Sequence, residues 1–467
     1  MSLGITKNKS AAGLNMITGT PWKSLLFFAL PMIFGNILQQ LYNIVDTIIV
    51  GKFVGQNALS AVGSATTVIN VYISIAVGLG TGCLIVFSQL YGAGKFGRLK
   101  TAINTSLVSF AALSLIMTAI AFAVTDVIMN FMNTPDILMN DSKTYYLIYI
   151  IGMPALYMYN ICNSVFNSLG KSSITLIMLG GSSVLNVGLD LWFVLGFGWG
   201  VTGAAVATVI SMYAAAIVVF ILMLGFLKKK INLNDAGGAL AENKFFDFQI
   251  LGTMAKVAIP TMICQVVVSS GYMVLQSLAN TFGVDVVSGY VSVNRVDSIC
   301  IVPMVQVSNA LATYTGQNVG ANQYDRVYKG LKAALVMIAV ISFFFCGIMH
   351  LFSEGIVGLF MEEGVNHAAI QSGRDYIMIM GTFYFLMGCQ SVFSGLLRGA
   401  GDVLKSTIGV LANFVGRCIF AYVIAALTGS EFSIYWCNPI GWAIGLSIYL
   451  IFFFQGSWKN KRLADKI

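Results

Sequence analysis

Twelve apolar runs divide this chain, near residues 24–52, 58–90, 100–125, 142–168, 173–197, 200–227, 249–281, 286–316, 328–352, 372–397, 403–427 and 433–457. Each is long enough to cross a bilayer, whose hydrocarbon core takes about 20 residues of helix. Hydrocarbon offers no partner to a free N–H or C=O, so only helices and closed barrels span it. The runs are continuous and lack the alternation of barrel strands of about ten residues. Charged residues make up 9% of the chain, against about 25% in soluble domains. An all-α polytopic membrane protein with twelve transmembrane helices is expected.

Charge placement orients it. With the polar N-terminal tail inside, 21 of the 26 Lys and Arg fall on inner segments, and only Lys52, Lys143 and Arg374 fall outside. Arg295 and Arg417 lie within spans. This is a positive-inside pattern, which predicts both termini in the cytoplasm. The net charge of +8 therefore reports topology, and no nucleic-acid partner is expected. Residues 1–22 lack the apolar core of a signal peptide, so the first helix serves as the insertion signal. The eight cysteines sit in or beside apolar runs without paired spacing and read as packing residues.

The chain repeats itself. "ALPMIFGNILQQ" at 29–40 matches "AIPTMICQVVVS" at 258–269, an offset of 229. "QLYGAGKFGR" at 89–98 matches "QNVGANQYDR" at 317–326, an offset of 228, and "NSVFNSLGK" at 163–171 matches "QSVFSGLLR" at 390–398, an offset of 227. The predicted organisation is an N-tail (1–22), a first lobe of six spans (23–227), a polar linker (228–248), a second lobe of six spans (249–457) and a C-tail (458–467). An even number of spans per repeat makes the repeats parallel, related by an axis along the membrane normal.

Three aspartates interrupt the apolar runs: Asp46, Asp190 and Asp297. An Asp in hydrocarbon costs about 2.5–3.5 kcal/mol even on the lenient insertion scale, which marks a working group in a wet pocket. At the repeat offsets Asp46 aligns with Leu275, and Asp190 with Arg417, so the Asp46 and Asp190 pair has no acidic counterpart in the second lobe. On the first span Asn36, Gln39, Gln40, Asn43, Asp46 and Thr47 recur at helical steps, and Asn186 and Asp190 share a face of the fifth. At about 1.5 Å of rise per residue, Asp46, Asp190 and Thr208 lie about 9, 10 and 12 Å inside the outer ends of their spans. They are predicted to converge. Such a pair titrates as a unit and shares a proton or a hard cation such as Na⁺, with the Asn186 amide and Thr208 hydroxyl as further ligands. Pro31 and Pro260 remove helical hydrogen bonds, and Pro31 is a candidate hinge. Arg295, Asp297 and Arg417 are candidates for gating in the second lobe.

"LGKSS" at 169–173 lacks the first glycine of a phosphate loop, and neither HExxH nor GxSxG occurs. Uphill transport would then draw on an ion gradient, and no enzyme activity or cofactor is expected.

With "ALPMIFGNILQQLYNIVDTIIVG" opening span one and "LNVGLDLWFVLGFGWGVTGAAVAT" across spans five and six, the chain resembles the multidrug and toxic compound extrusion (MATE) transporters, of the prokaryotic branch called DinF-like. The resemblance covers nearly the whole chain. It implies a V-shaped pair of six-helix bundles and export of organic, often cationic and aromatic compounds by H⁺ or Na⁺ antiport. It places the first-lobe cation site at Asp46, Asn186, Asp190 and Thr208, with Pro31 at the hinge. It lines the substrate cavity with Gln39, Tyr42, Tyr145, Asn160, Asn163 and Met212, to which the polar stripe of span one adds Asn43. A prokaryotic plasma membrane, amphiphilic substrates and a chain that works as a monomer are implied. The carboxylates that the NorM-like branch holds in the second lobe are not evident here. The alternative is a flippase for lipid-linked oligosaccharides from the same superfamily, which would need a basic central cavity.

Overall fold

The computed structural model describes residues 16–132, 134–231, 244–359 and 367–467. The N-tail up to residue 15, and residues 232–243 of the expected linker, lie outside the described residues. The first lobe contains α1 (Pro21–Ile49), α2 (Gln56–Gly92), α3 (Phe96–Ala123), the short α4 (Thr125–Phe131), α5 (Asp136–Ile151), α6 (Met153–Ser168), α7 (Ser172–Asp190) and α8 (Gly200–Ile231). The second contains α9 (Phe248–Ala279), α10 (Val284–Gly320), α11 (Tyr324–Gly358), α12 (His367–Ala400), α13 (Val403–Thr428) and α14 (Phe432–Phe454). Among the described residues eleven helices are long and apolar enough to cross a membrane, or twelve when α5 and α6 count as one bent crossing.

The apolar run near 142–168 is bent: the chain turns by 47° between α5 and α6. Pro154, in the first turn of α6, cannot extend the ladder of α5. A side chain on Gly152 would meet Met212 Sδ at 3.0 Å, so α8 packs into the elbow.

The repeat register also needs correction. The turn into α7 is built on left-handed Gly170 (φ 75°) and the turn into α13 on left-handed Gly401 (φ 91°), a spacing of 231 residues rather than 227. A one-turn shift of this size puts Arg417 opposite Asn186 and Ala421 opposite Asp190. The Asp46 and Asp190 pair still has no acidic counterpart in the second lobe, but Arg417 is not the counterpart of Asp190.

The lobes are knit together at the face that carries the Lys- and Arg-rich loops, here called the basic face. The contacts exchange across the pseudo-dyad. Gln89 of α2 donates to Gly399 O of the other lobe at 3.0 Å, and its repeat mate Gln317 of α10 donates to Ser168 O at 2.7 Å. Both amides are buried. Glycines bring the backbones close enough: a Cβ on Gly320 would lie 2.2 Å from Gln89 O, and one on Gly82 would lie 2.4 Å from Ala258 Cα. The C-terminal segment straps the seam. Leu463 N donates to Gln89 Oε1 at 2.6 Å, Gln249 Nε2 to Lys466 O at 3.1 Å, and Lys95 Nζ to Ala464 O. Near the other end of the chain, Arg326 Nη2 donates to Gly19 O at 2.6 Å.

Towards the opposite, distal face the lobes part. The distal core of the first lobe, around Ile49, Ala65, Tyr146 and Ala204, contains first-lobe residues only. There the basic side chains Lys143 and Arg374 pair with Asp126 and Glu354. Residues 244–247, the described end of the linker, dock on α3: Lys244 N donates to Thr101 Oγ1 at 3.0 Å and Asp247 N to Thr105 Oγ1 at 3.1 Å. Asp247 then caps α9, accepting from Gln249 N and Ile250 N.

Candidate functional site

α1, α7 and α8 lie side by side in the distal half of the first lobe. Asn186 Nδ2 reaches Thr208 Oγ1 at 3.5 Å, while the Thr208 hydroxyl is spent on Ala204 O of its own helix at 3.0 Å. Asp190 is fully buried, and Asp46 of α1 is half-buried across from it. The two carboxyls lie within hydrogen-bonding reach of each other. Asp46 Oδ1, both Asp190 oxygens and Asn186 Oδ1 find no donor among the described residues. No Lys or Arg among those residues forms an ion pair with either acid. Four buried oxygens without donors call for a proton or a cation between them. Tyr42 and Tyr145 stand close enough to feel both carboxylates.

Directly beyond each acid the helix changes type. Residues Val50–Val54 and Leu191–Gly196 form π-helical turns, with Gly55 N bonded to Val50 O at 3.1 Å and Phe197 N to Trp192 O at 3.2 Å. These wider turns pack against each other. π turns insert a residue into the helical register, and they recur at functional sites. Beside them the rings of Trp192, Phe193, Phe197 and Trp199 stack, with Phe193 and Trp199 centroids 5.2 Å apart. Three of the four are exposed, as suits a membrane interface.

A cavity of about 570 Å³ opens beside the acids. Gln39, Tyr42 and Met212 of the residues named above line it, together with Asn186 and Thr208. Asn43, Tyr145, Asn160 and Asn163 do not. Asn43 is exposed on α1, and Tyr145 is buried behind the acid pair. Asn160 spends its amide on Leu156 O of α6 at 2.9 Å, and Asn163 is half-buried away from this wall. Tyr159, Ser183 and Ser211 line the cavity and were missed. The signal was there for two of them: Ser183 and Ser211 stand three residues from Asn186 and Thr208, on the same helical faces.

α1 runs unbroken through Pro31. Ser172, opening α7, donates to Phe28 O at 2.8 Å, so the start of α7 grips α1 just ahead of the proline. In the second lobe the three gating candidates separate. Arg295 is exposed, whereas Asp297 and Arg417 are buried close enough to interact electrostatically. Tyr384 Oη donates to Asp297 Oδ1 at 2.9 Å, and Arg417 Nη1 donates to Asn438 Oδ1 at 2.7 Å. Arg417 also sits 3.9 Å from the Phe414 ring centroid. Asn438 and Tyr384 were not foreseen; Asn438, a lone amide before Pro439 in an apolar run, was the available clue.

Two six-crossing lobes of repeated sequence, joined at one face, with a donor-poor acid pair inside the first, define a helical membrane transporter. The chain belongs to the MatE family. That family's model matches it twice, at residues 31–192 and 260–423, one copy per lobe. Over 453 residues the chain is 27% identical to the probable multidrug resistance protein YoeA of Bacillus subtilis, covering 96% of each. Over 460 residues it is 28% identical to the probable multidrug resistance protein YpnP of the same species, covering 95% of this chain and 97% of the relative. Its fold superposes with a TM-score of 0.84 on a solved outward-facing multidrug resistance MATE family transporter of the MOP superfamily, at 22% identity over 98% of this chain and 99% of that one.

Proposed function

We propose that the chain is a secondary active exporter of organic, often cationic and aromatic compounds, driven by inward movement of H⁺ or Na⁺. One observation carries this reading: Asp46 and Asp190 face each other beside a cavity with neither a base nor a donor to neutralise them. Two such carboxylates hold a substrate cation or a coupling ion, not both, and mutual exclusion at one site is the minimal chemistry of antiport. The basic face is read as cytoplasmic and the distal opening as external, in a prokaryotic plasma membrane with both chain ends inside.

The cycle follows from the charges. Substrate enters from the cytoplasmic side and is held against the ionised pair by Tyr42, Tyr159 and Met212. A proton or Na⁺ from outside neutralises the pair, aided in the Na⁺ case by the Asn186 and Thr208 oxygens, and substrate leaves. α1 bends at Pro31, whose missing N–H leaves the carbonyl of Phe27 without its helical donor. The test is ethidium efflux from cells or everted vesicles under an imposed pH or Na⁺ gradient. Asp46→Asn and Asp190→Asn are expected to fold and to lose at least tenfold in rate. Wild-type export by a folded Asp46→Asn variant, or export indifferent to collapse of both gradients, would sink the reading.

A further inference from the structure

A second cavity, of about 940 Å³, lies among α9, α10, α12, α13 and α14, with α2 of the first lobe closing one side. Its wall carries a single charged side chain, Arg398, and no Asp or Glu. The guanidinium is held by neutral groups: Nη2 donates to Asn309 Oδ1 at 3.2 Å and to Ser308 Oγ at 3.4 Å. Its Nε is buried and has no acceptor among the described residues. The nearest carboxylate along the chain, Asp402, accepts from Ser457 Oγ at 3.0 Å instead. A part-buried cation with neither a counter-charge nor a full set of acceptors is a costly arrangement, which an anion entering the cavity would relieve.

The arrangement is particular to this lobe. By the spacing of Gly170 and Gly401, the first-lobe position matching Arg398 is Asn167, a neutral amide that accepts from Thr175 Oγ1 at 3.4 Å. The buried Arg417 of the same lobe also has nitrogens, Nε and Nη2, without acceptors among the described residues, but it has the Asn438 amide, the Phe414 ring and the nearby carboxylate of Asp297. Around Arg398 the wall offers Gln390 and Thr407 as polar groups, and Val268, Val305 and Val410 as an apolar flank.

We propose that this cavity is an anion site, in which Arg398 receives the carboxylate, sulfonate or phosphate head of an amphiphile whose apolar body lies along the valines. Guanidinium groups suit such planar or tetrahedral oxyanions through directed N–H donors. The proposal concerns binding alone and does not rest on the export reading. It differs from that reading in sign: the first lobe offers an acid site, the second a basic one.

The test uses the purified full chain in neutral phosphatidylcholine nanodiscs and titration calorimetry with two probes of similar size, benzenesulfonate and benzyltrimethylammonium. Wild type is expected to bind benzenesulfonate at least tenfold tighter than Arg398→Gln does, with Arg398→Lys in between. Thr407→Trp, which fills the cavity and keeps the charge, is expected to abolish sulfonate binding, so the proposal stays testable if Arg398→Gln fails to fold. Benzyltrimethylammonium binding is expected to change by less than threefold in these variants. Absence of sulfonate binding to wild type overturns the proposal, as does undiminished binding to Arg398→Gln or Thr407→Trp. Repeating the titration in phosphatidylglycerol nanodiscs separates the sources. Loss of sulfonate binding there assigns the site to an anionic lipid head, and retention assigns it to a free amphiphile.

Discussion

Asp247 and Asn438 show how much rests on single polar side chains in a chain this apolar. Slight burial opposes ionisation of Asp247, but the backbone N–H groups of Ile250 and Gln249 and the Lys244 ammonium outweigh it and hold its carboxyl below the usual range. A carboxylate whose folded value lies below its unfolded value of about 3.9 stabilises the fold fully above that pH and loses the contribution as pH falls through the folded value. Asp247→Ala is therefore expected to cost about 1 kcal/mol at neutral pH. In denaturation of the solubilised protein, the gap to wild type should close below about pH 4. Asn438→Leu removes the acceptor of Arg417 Nη1 and is expected to cost about 2 kcal/mol, the range for a hydrogen bond to a charged group. The acid pair could be read from the sequence because a carboxylate in hydrocarbon has no cheap explanation. Ser211 carried only the weak mark of its spacing from Thr208, because hydroxyls in helices are commonly absorbed by their own backbone, as Ser211 is by Ala207 O.

Among the elements, the matched glutamines carry the closure of the basic face. Gln89→Leu or Gln317→Leu strands a carbonyl of the opposite lobe, and each is expected to cost about 1–3 kcal/mol. Spin labels placed on the two lobes at that face should report a longer and broader distance in either variant. Gly82→Leu should act more strongly, because the added side chain has Ala258 backbone in its place. The order of the spans was readable from hydropathy, since hydrocarbon thickness dictates their length. The elbow at Gly152 was marked by the Gly–Met–Pro run, but its depth depends on α8 packing into it. The π turns after Asp46 and Asp190 leave no mark in the residues themselves, because an extra residue in a turn changes backbone bonding without changing the apolar pattern. The same blindness hid the one-turn slip that moved Arg417 away from the counterpart of Asp190.

For the molecule as a whole, the C-terminal segment decides how firmly the basic face stays shut. Trp458, Leu463, Ala464 and Ile467 are buried, and Leu463 N reaches Gln89. Removal of residues 457–467 gives up side-chain burial worth about 1.5–3 kcal/mol for each large residue. The truncated protein should melt several degrees lower and populate the basic-face-open state, read by the same label distances. The exchange of Gln89 and Gln317 across the seam has a consequence of a different kind. Each lobe offers its partner the same donor and the same accepting carbonyl, as two identical subunits would in an isologous dimer. The present chain thus preserves, in covalent form, the handshake by which a half-length ancestor would have recognised its own twin.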